Sequence, residues 1–169
     1  MTPRPSLFVR ASLLALGAVA LWGCTVLAPA ALPNGTPIAD ARGRLAGPVA
    51  EYPLPNGGTR LEFAQGSYGR EKHMLDFDAS GRLVATTQVL TEAMLNRMVP
   101  GTPRDEVRLQ LGRPAAMFAV PWQKLHVWNY RFAGGDCVWF QISISDVTQR
   151  VTEASTGLDP ACDRPNERQ

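Results

Sequence analysis

Gly101-Thr102-Pro103-Arg104-Asp105-Glu106-Val107-Arg108-Leu109-Gln110-Leu111-Gly112-Arg113-Pro114 is answered 66 residues earlier by Gly35-Thr36-Pro37-Ile38-Ala39-Asp40-Ala41-Arg42-Gly43-Arg44-Leu45-Ala46-Gly47-Pro48. Gly, Thr, Pro, Arg, Leu and Pro match without a gap, and such self-similarity is the mark of a repeated structural unit. Each copy reads as a helix with marked ends. Thr102 suits the N-cap, Pro103 the first helical position, and Asp105 completes a Thr-x-x-Asp capping pattern; Thr36 and Pro37 repeat the start. Val107 and Leu111 share one face at i, i+4, as do Ile38, Ala41 and Leu45 in the first copy. Gly112 with Pro114, and Gly47 with Pro48, supply the stops. A further short helix, Thr91 to Met98, precedes the second copy through Pro100-Gly101.

Beyond each helix the period changes to two. His126, Trp128, Tyr130 and Phe132 alternate with Leu125, Val127, Asn129 and Arg131; Val138, Phe140, Ile142 and Ile144 alternate with Cys137, Trp139, Gln141 and Ser143. A third strand lies near Arg150 to Ser155. In the first copy Leu61 and Phe63 alternate with Arg60 and Glu62, and His73, Leu75 and Phe77 alternate with Lys72, Met74, Asp76 and Asp78, before the turn Asp78 to Gly81 and the strand Leu83 to Thr86. The expected fold is α+β: tandem modules, each with one or two short helices packed on a three-stranded antiparallel sheet. The expected boundaries are 35–89 for the first module, 90–158 for the second and 159–169 for a C-terminal tail.

The residues before the repeat carry an export signal. Arg4 and Arg10 precede an apolar run from Ala11 to Trp22, about a dozen residues, which is too short to span a bilayer but fits a cleaved signal peptide over residues 1–23. Leu21-Trp22-Gly23-Cys24 resembles the bacterial lipobox, with Trp22 where a small residue is usual. Cys24 is then the lipidated first residue of the mature chain, and residues 24–34 the lipidated linker. Two or three acyl chains anchor stably where one is marginal. Thr25, in place of Asp, implies by the same resemblance sorting to the outer membrane.

Removing Arg4 and Arg10 leaves 15 Lys and Arg against 15 Asp and Glu. No basic stripe remains to suggest a nucleic-acid partner. Cys137 and Cys162 lie in an oxidising compartment if the chain is exported, where a disulfide is the default over a metal pair or free thiols.

The helix Gly101 to Pro114, followed by Trp128-Asn129-Tyr130-Arg131-Phe132, resembles the BamE (SmpA/OmlA) lipoprotein family, which has a Gly-Met/Thr helix ending in Leu-Gly-x-Pro and then a Trp-x-Tyr strand. The resemblance covers residues 90–155 well and 35–88 more loosely. It implies small outer-membrane lipoproteins with two helices on a three-stranded sheet, the best-known being a subunit of the β-barrel assembly complex. That member has one module and this chain reads as two. A tandem pair is also similar to the architecture of the β-lactamase inhibitory protein, whose open sheet face grips another protein.

Catalytic parts are sparse. His73 and His126 are the only imidazoles, and both read as partly buried, hydrogen-bonded residues on sheet faces. There is no His-Glu-x-x-His, Cys-x-x-Cys, Gly-x-Ser-x-Gly or phosphate-cradling loop, so no catalytic residue, metal or cofactor is expected. Gly66 to Gly69 and Gly134-Gly135 fit hairpin turns. The expected role is protein binding in outer-membrane protein assembly or envelope integrity, with outer-membrane or periplasmic proteins as partners, the β-barrel assembly complex among them. The alternative is an inhibitor or ligand-binding lipoprotein acting on a soluble periplasmic target. The expected contact site is Trp139 with Val127, Asn129 and Arg131, on the polar side of the second sheet, unless the tail or the first module covers it.

Overall fold

In the computed structural model the described residues are 28–45, 47, 50–65, 69–132, 134 and 137–162. The signal segment, Cys24, Gly135 and residues 66–68 of one expected turn lie outside them. A 3-10 turn at Pro29–Ala31 leads to helix α1 (Ile38–Arg44), then strands β1 (Ala50–Pro53), β2 (Thr59–Gln65), β3 (Glu71–Phe77) and β4 (Leu83–Gln88). Helices α2 (Glu92–Leu95) and α3 (Arg104–Leu111) follow, then β5 (Ala116–Val120), a 3-10 turn at Pro121–Gln123, β6 (Leu125–Tyr130), β7 (Val138–Ser145), β8 (Val151–Leu158) and a last 3-10 turn at Pro160–Cys162.

The strands form two antiparallel sheets, ordered β1-β2-β3-β4 and β5-β6-β7-β8. Each sheet has four strands rather than the expected three. The extra strand is the first of each set and lies at an edge, where pairing on one side only demands little of the sequence. β1 is four residues ending in Pro53, and β5 lies between Pro114 and Pro121, so neither carries a sustained alternation.

The Gly-Thr-Pro segments seat the helices differently from the expected cap. The N-cap residues are Pro37 and Pro103, without side-chain capping bonds. Thr36 Oγ1 donates to Pro33 O at 2.6 Å, and Thr102 Oγ1 to Val99 O at 2.8 Å. Each hydroxyl is thereby spent on the turn before the helix. The helix start is instead stitched to the beginning of its last strand, through Gly35 N to Leu83 O, Leu83 N to Thr36 O and Ile38 N to Gly81 O. Gly101 N to Val151 O, Val151 N to Thr102 O and Arg104 N to Gln149 O repeat that pattern. Arg82 and Arg150 each donate to the carbonyl of the repeat's Gly, Gly35 and Gly101. These bonds occupy backbone groups that a helix terminus otherwise leaves open.

The apolar residues of the expected core faces are buried, while His73 and His126 on the same faces are half-buried and exposed. Ile38, Ala41 and Leu45 pack with Leu61, Phe63, Leu75, Phe77 and Leu83. Val107 and Leu111, with Leu95 and Met98, pack with Trp128, Tyr130, Phe140, Ile142 and Ile144. The opposite face of the first sheet does not face water. Its charged residues reach the C-terminal end of α3, so the layers run α1, first sheet, α3, second sheet, with Leu95 of α2 in the core of the second sheet.

Candidate functional site

The junction between the halves is polar and buried. Glu62 on β2 and Lys72 on β3 alternate with core residues, yet they are 0 % and 4 % exposed. Lys72 Nζ lies 2.9 Å from Glu62 Oε1 and also donates to Arg113 O. Tyr52 Oη donates to Glu62 Oε2 at 2.6 Å, and Arg113 N donates to the same carboxylate at 3.1 and 3.2 Å. Arg60, held by Asp76, donates from Nη1 to Leu109 O at 2.8 Å. The first sheet therefore satisfies backbone groups in and just beyond the last turn of α3, where cations also suit the helix dipole. Gly112 turns there at φ 71° with the Glu62 carboxylate against its Cα. Burial pushes the Lys72 ammonium below its ordinary value, with Glu62 opposing that shift; burial and Glu62 raise the Tyr52 hydroxyl.

The expected contact group is enclosed. Trp139 and Val127 are each 8 % exposed and Asn129 is 1 % exposed. Asn129 Oδ1 accepts from Gln141 Nε2 at 2.9 Å. The Arg131 guanidinium stacks 4.7 Å from the Trp139 ring centre and is clamped by Asp159. The residues after β8 close this corner: Cys137 and Cys162 form a disulfide with a Cα separation of 5.5 Å, and Asp159 N donates to Cys137 O. The exposure on which the Trp139 contact site was expected to depend is thus lacking, because the chain's own strap lies over it. The Arg131 hydrogen bonds hold the Asp159 carboxyl down at about 2.

Exposed apolar side chains gather instead around β5. Met117 is 57 %, Phe118 49 % and Trp122 81 % exposed. β5 is an edge strand, paired only with β6, and Phe118 sits opposite Val127. Reasoning from alternation missed this region because Ala116-Met117-Phe118-Ala119-Val120 has no polar partner set. The bracketing prolines were the available signal.

His126 is half exposed, with Nδ1 bonded to the Asp146 carboxylate. His73 is half-buried, and its Nδ1 has no hydrogen-bond partner among the described residues. Of the expected partial burial and hydrogen bonding, His73 shows the first and His126 the second. Among the described residues there is no group of three or more His, Cys, Asp or Glu placed to hold a metal ion, and no helix is long and apolar enough to cross a membrane. Comparison with protein-family models, curated proteins and solved structures finds no match.

Proposed function

We propose that this chain is a lipid-anchored bacterial envelope protein built from two copies of one helix-and-sheet module, and that its second module binds another envelope protein. Duplication is supported by the repeated Gly-Thr-Pro seat and by Asp78-x-x-x-Arg82-Leu83, which recurs as Asp146-x-x-x-Arg150-Val151. The anchor reading rests on Gly23-Cys24 at the end of the apolar run. The resemblance to BamE-like lipoproteins makes assembly or stabilisation of outer-membrane proteins the role to test, since similar modules host different binding tasks.

The observation that carries the binding reading is the β5 edge. Soluble proteins usually blunt an edge strand with charge, proline or brevity. β5 carries no charge and presents Met117 and Phe118, with Trp122 just beyond its end. An added strand gains main-chain hydrogen bonds there, while Phe118 and Trp122 supply the large aromatic contacts that commonly dominate interface energy.

Photo-crosslinking in envelopes separates the possibilities. A crosslinker at Phe118 or Trp122 is expected to trap one defined membrane protein, and a crosslinker at Val84, also exposed but on the first sheet, is expected to trap none. A soluble periplasmic enzyme in the adduct would replace assembly by inhibition. The same adducts from all three positions, or none from any, would remove the β5 edge as the contact.

A further inference from the structure

Four residues, Cys24-Thr25-Val26-Leu27, join the proposed anchor to Ala28. Fully extended, they reach at most about 14 Å. Ala28 begins a segment that is fixed to the first sheet. Its 3-10 turn lies against β3 and β4 with Pro29 buried. Leu32 belongs to the first core, and Gly35 N donates to Leu83 O at 2.7 Å. The segment adds no slack to the tether, so a chain acylated at Cys24 holds this side of the first module close to the lipid headgroups.

The distribution of charge selects the part that meets the lipid. Thr25 to Ile38 and Leu83 to Thr91 contain no Lys, Arg, Asp or Glu. The second stretch contains β4, an edge strand paired only with β3, where Val84 is 50 % exposed and Thr87 is exposed too. Ala28, Ala30, Ala31 and Pro33, in the segment that packs on it, are also exposed. A bare, uncharged edge is one that soluble proteins usually avoid. The other edge of the same sheet differs. There β1 exposes Glu51 in its ion pair with Arg42 of α1, and lipid contact would strip water from both charges. The sheet face turned from α1 is spent on α3. Only the β4 edge combines reach, exposure and absence of charge.

We propose that the β4 edge and the adjoining residues 28–34 rest on the bilayer surface, with Val84 and the exposed alanines in the interfacial layer and the β1 edge turned to water. This rests on the Cys24 anchor of the preceding reading and adds the orientation that the short tether imposes. A surface lying in the interface gains from the apolar area it buries as well as from charge. Because the β4 edge is uncharged, a phosphatidylcholine bilayer suffices and anionic lipid is not required.

Phosphatidylcholine nanodiscs carrying a trace of gadolinium-chelating lipid broaden amide resonances according to their distance from the headgroups. Three strand spacings, roughly 14 Å in all, separate β4 from β1. In the acylated chain the amides of Val84 to Gln88 are expected to lose most of their intensity, those of β2 less, and those of Glu51 and Tyr52 least. A module swinging freely on its tether gives equal losses at the two edges. Equal losses, or a greater loss at β1, would overturn the orientation. Mass spectrometry of the same sample tests the anchor separately: a chain without acyl groups overturns anchor and orientation together, whereas an acylated chain with a level profile overturns the orientation alone.

Discussion

Helix α1 lies at the outside of the stack, where Arg42 and Glu51 form an ion pair with both side chains more than two-fifths exposed. Helix α3 begins with the same Gly-Thr-Pro and the same stitching to its last strand, but lies between two sheets. One start signal thus gives each helix its seat, and residues on a neighbouring sheet decide its surroundings. On the first sheet the face turned from α1 carries Arg60, Glu62, Lys72 and Asp76 and is spent on α3. The matching face of the second sheet carries Asn129, Trp139 and Gln141 and is closed at one corner by the Cys137–Cys162 strap. One helix and sheet act as the support, and the other helix is the part supported.

Truncating the shared leucine tests the inequality most strongly. Leu111 is 0 % and Leu45 6 % exposed. Leu111→Ala is expected to cost about 4 kcal/mol and Leu45→Ala about 2 kcal/mol, the upper and lower parts of the usual range for such cavities. Chemical denaturation measures both, and equal losses would break the contrast.

The buried pair comes next. Lys72→Met strands the Glu62 carboxylate, with an expected cost of about 3 kcal/mol. In the double variant Glu62→Met, Lys72→Met no buried charge is left alone, so its loss should fall short of the sum of the two single losses. Additive losses in that cycle would mean that the two groups act separately.

Glycine sharpens the comparison further. Gly47 and Gly112 follow the two helices at φ 88° and 71°. Gly47→Ala costs about 1 kcal/mol for its positive φ, and Gly112, whose ψ is −157°, lies in a region that essentially only glycine adopts, at about 1–3 kcal/mol. A Cβ at Gly112 also comes within 2.5–2.7 Å of the Glu62 carboxylate, whereas nothing lies within 4 Å at Gly47. Gly112→Ala is therefore expected to lose about 1 kcal/mol more, and matching melting temperatures would argue against the close approach.

The strap adds a pH-dependent effect. Asp159 falls from its ordinary 3.8 to about 2 in the folded chain. A carboxyl depressed by folding contributes stability above its unfolded value and loses it as pH falls through the folded one. Stability should decline from near pH 4 towards pH 2, and Asp159→Asn should remove that part of the slope. An identical pH profile in the Asn variant would place the titration elsewhere.

The helix faces and the inward residues of β2, β3, β6 and β7 were legible in the sequence, because apolar spacing reports burial directly. Thr36 and Thr102 misled because a hydroxyl that suits an N-cap can equally donate backwards. Glu62 and Lys72 misled for a different reason: charged residues alternating with Leu61, Phe63 and Leu75 look the same whether water or another helix faces them. Only the three-dimensional meeting with Arg113 distinguishes the two. The recurrence of Asp78-x-x-x-Arg82 at Asp146-x-x-x-Arg150 was visible and would have marked the strand starts. Trp139 shows the limit of strand faces, since its cover comes from residues beyond β8.

The support of the second half by the first is best measured with the protein's own fluorescence. Of the four tryptophans Trp122, Trp128 and Trp139 lie in the second half, so with Trp22 replaced by Phe the emission during urea unfolding reports that half alone. Glu62 belongs to the first. With Glu62→Ala the tryptophan transition is expected to move to lower urea by the equivalent of about 3 kcal/mol. A tryptophan midpoint unchanged from the parent protein would contradict the dependence of α3 on the first sheet.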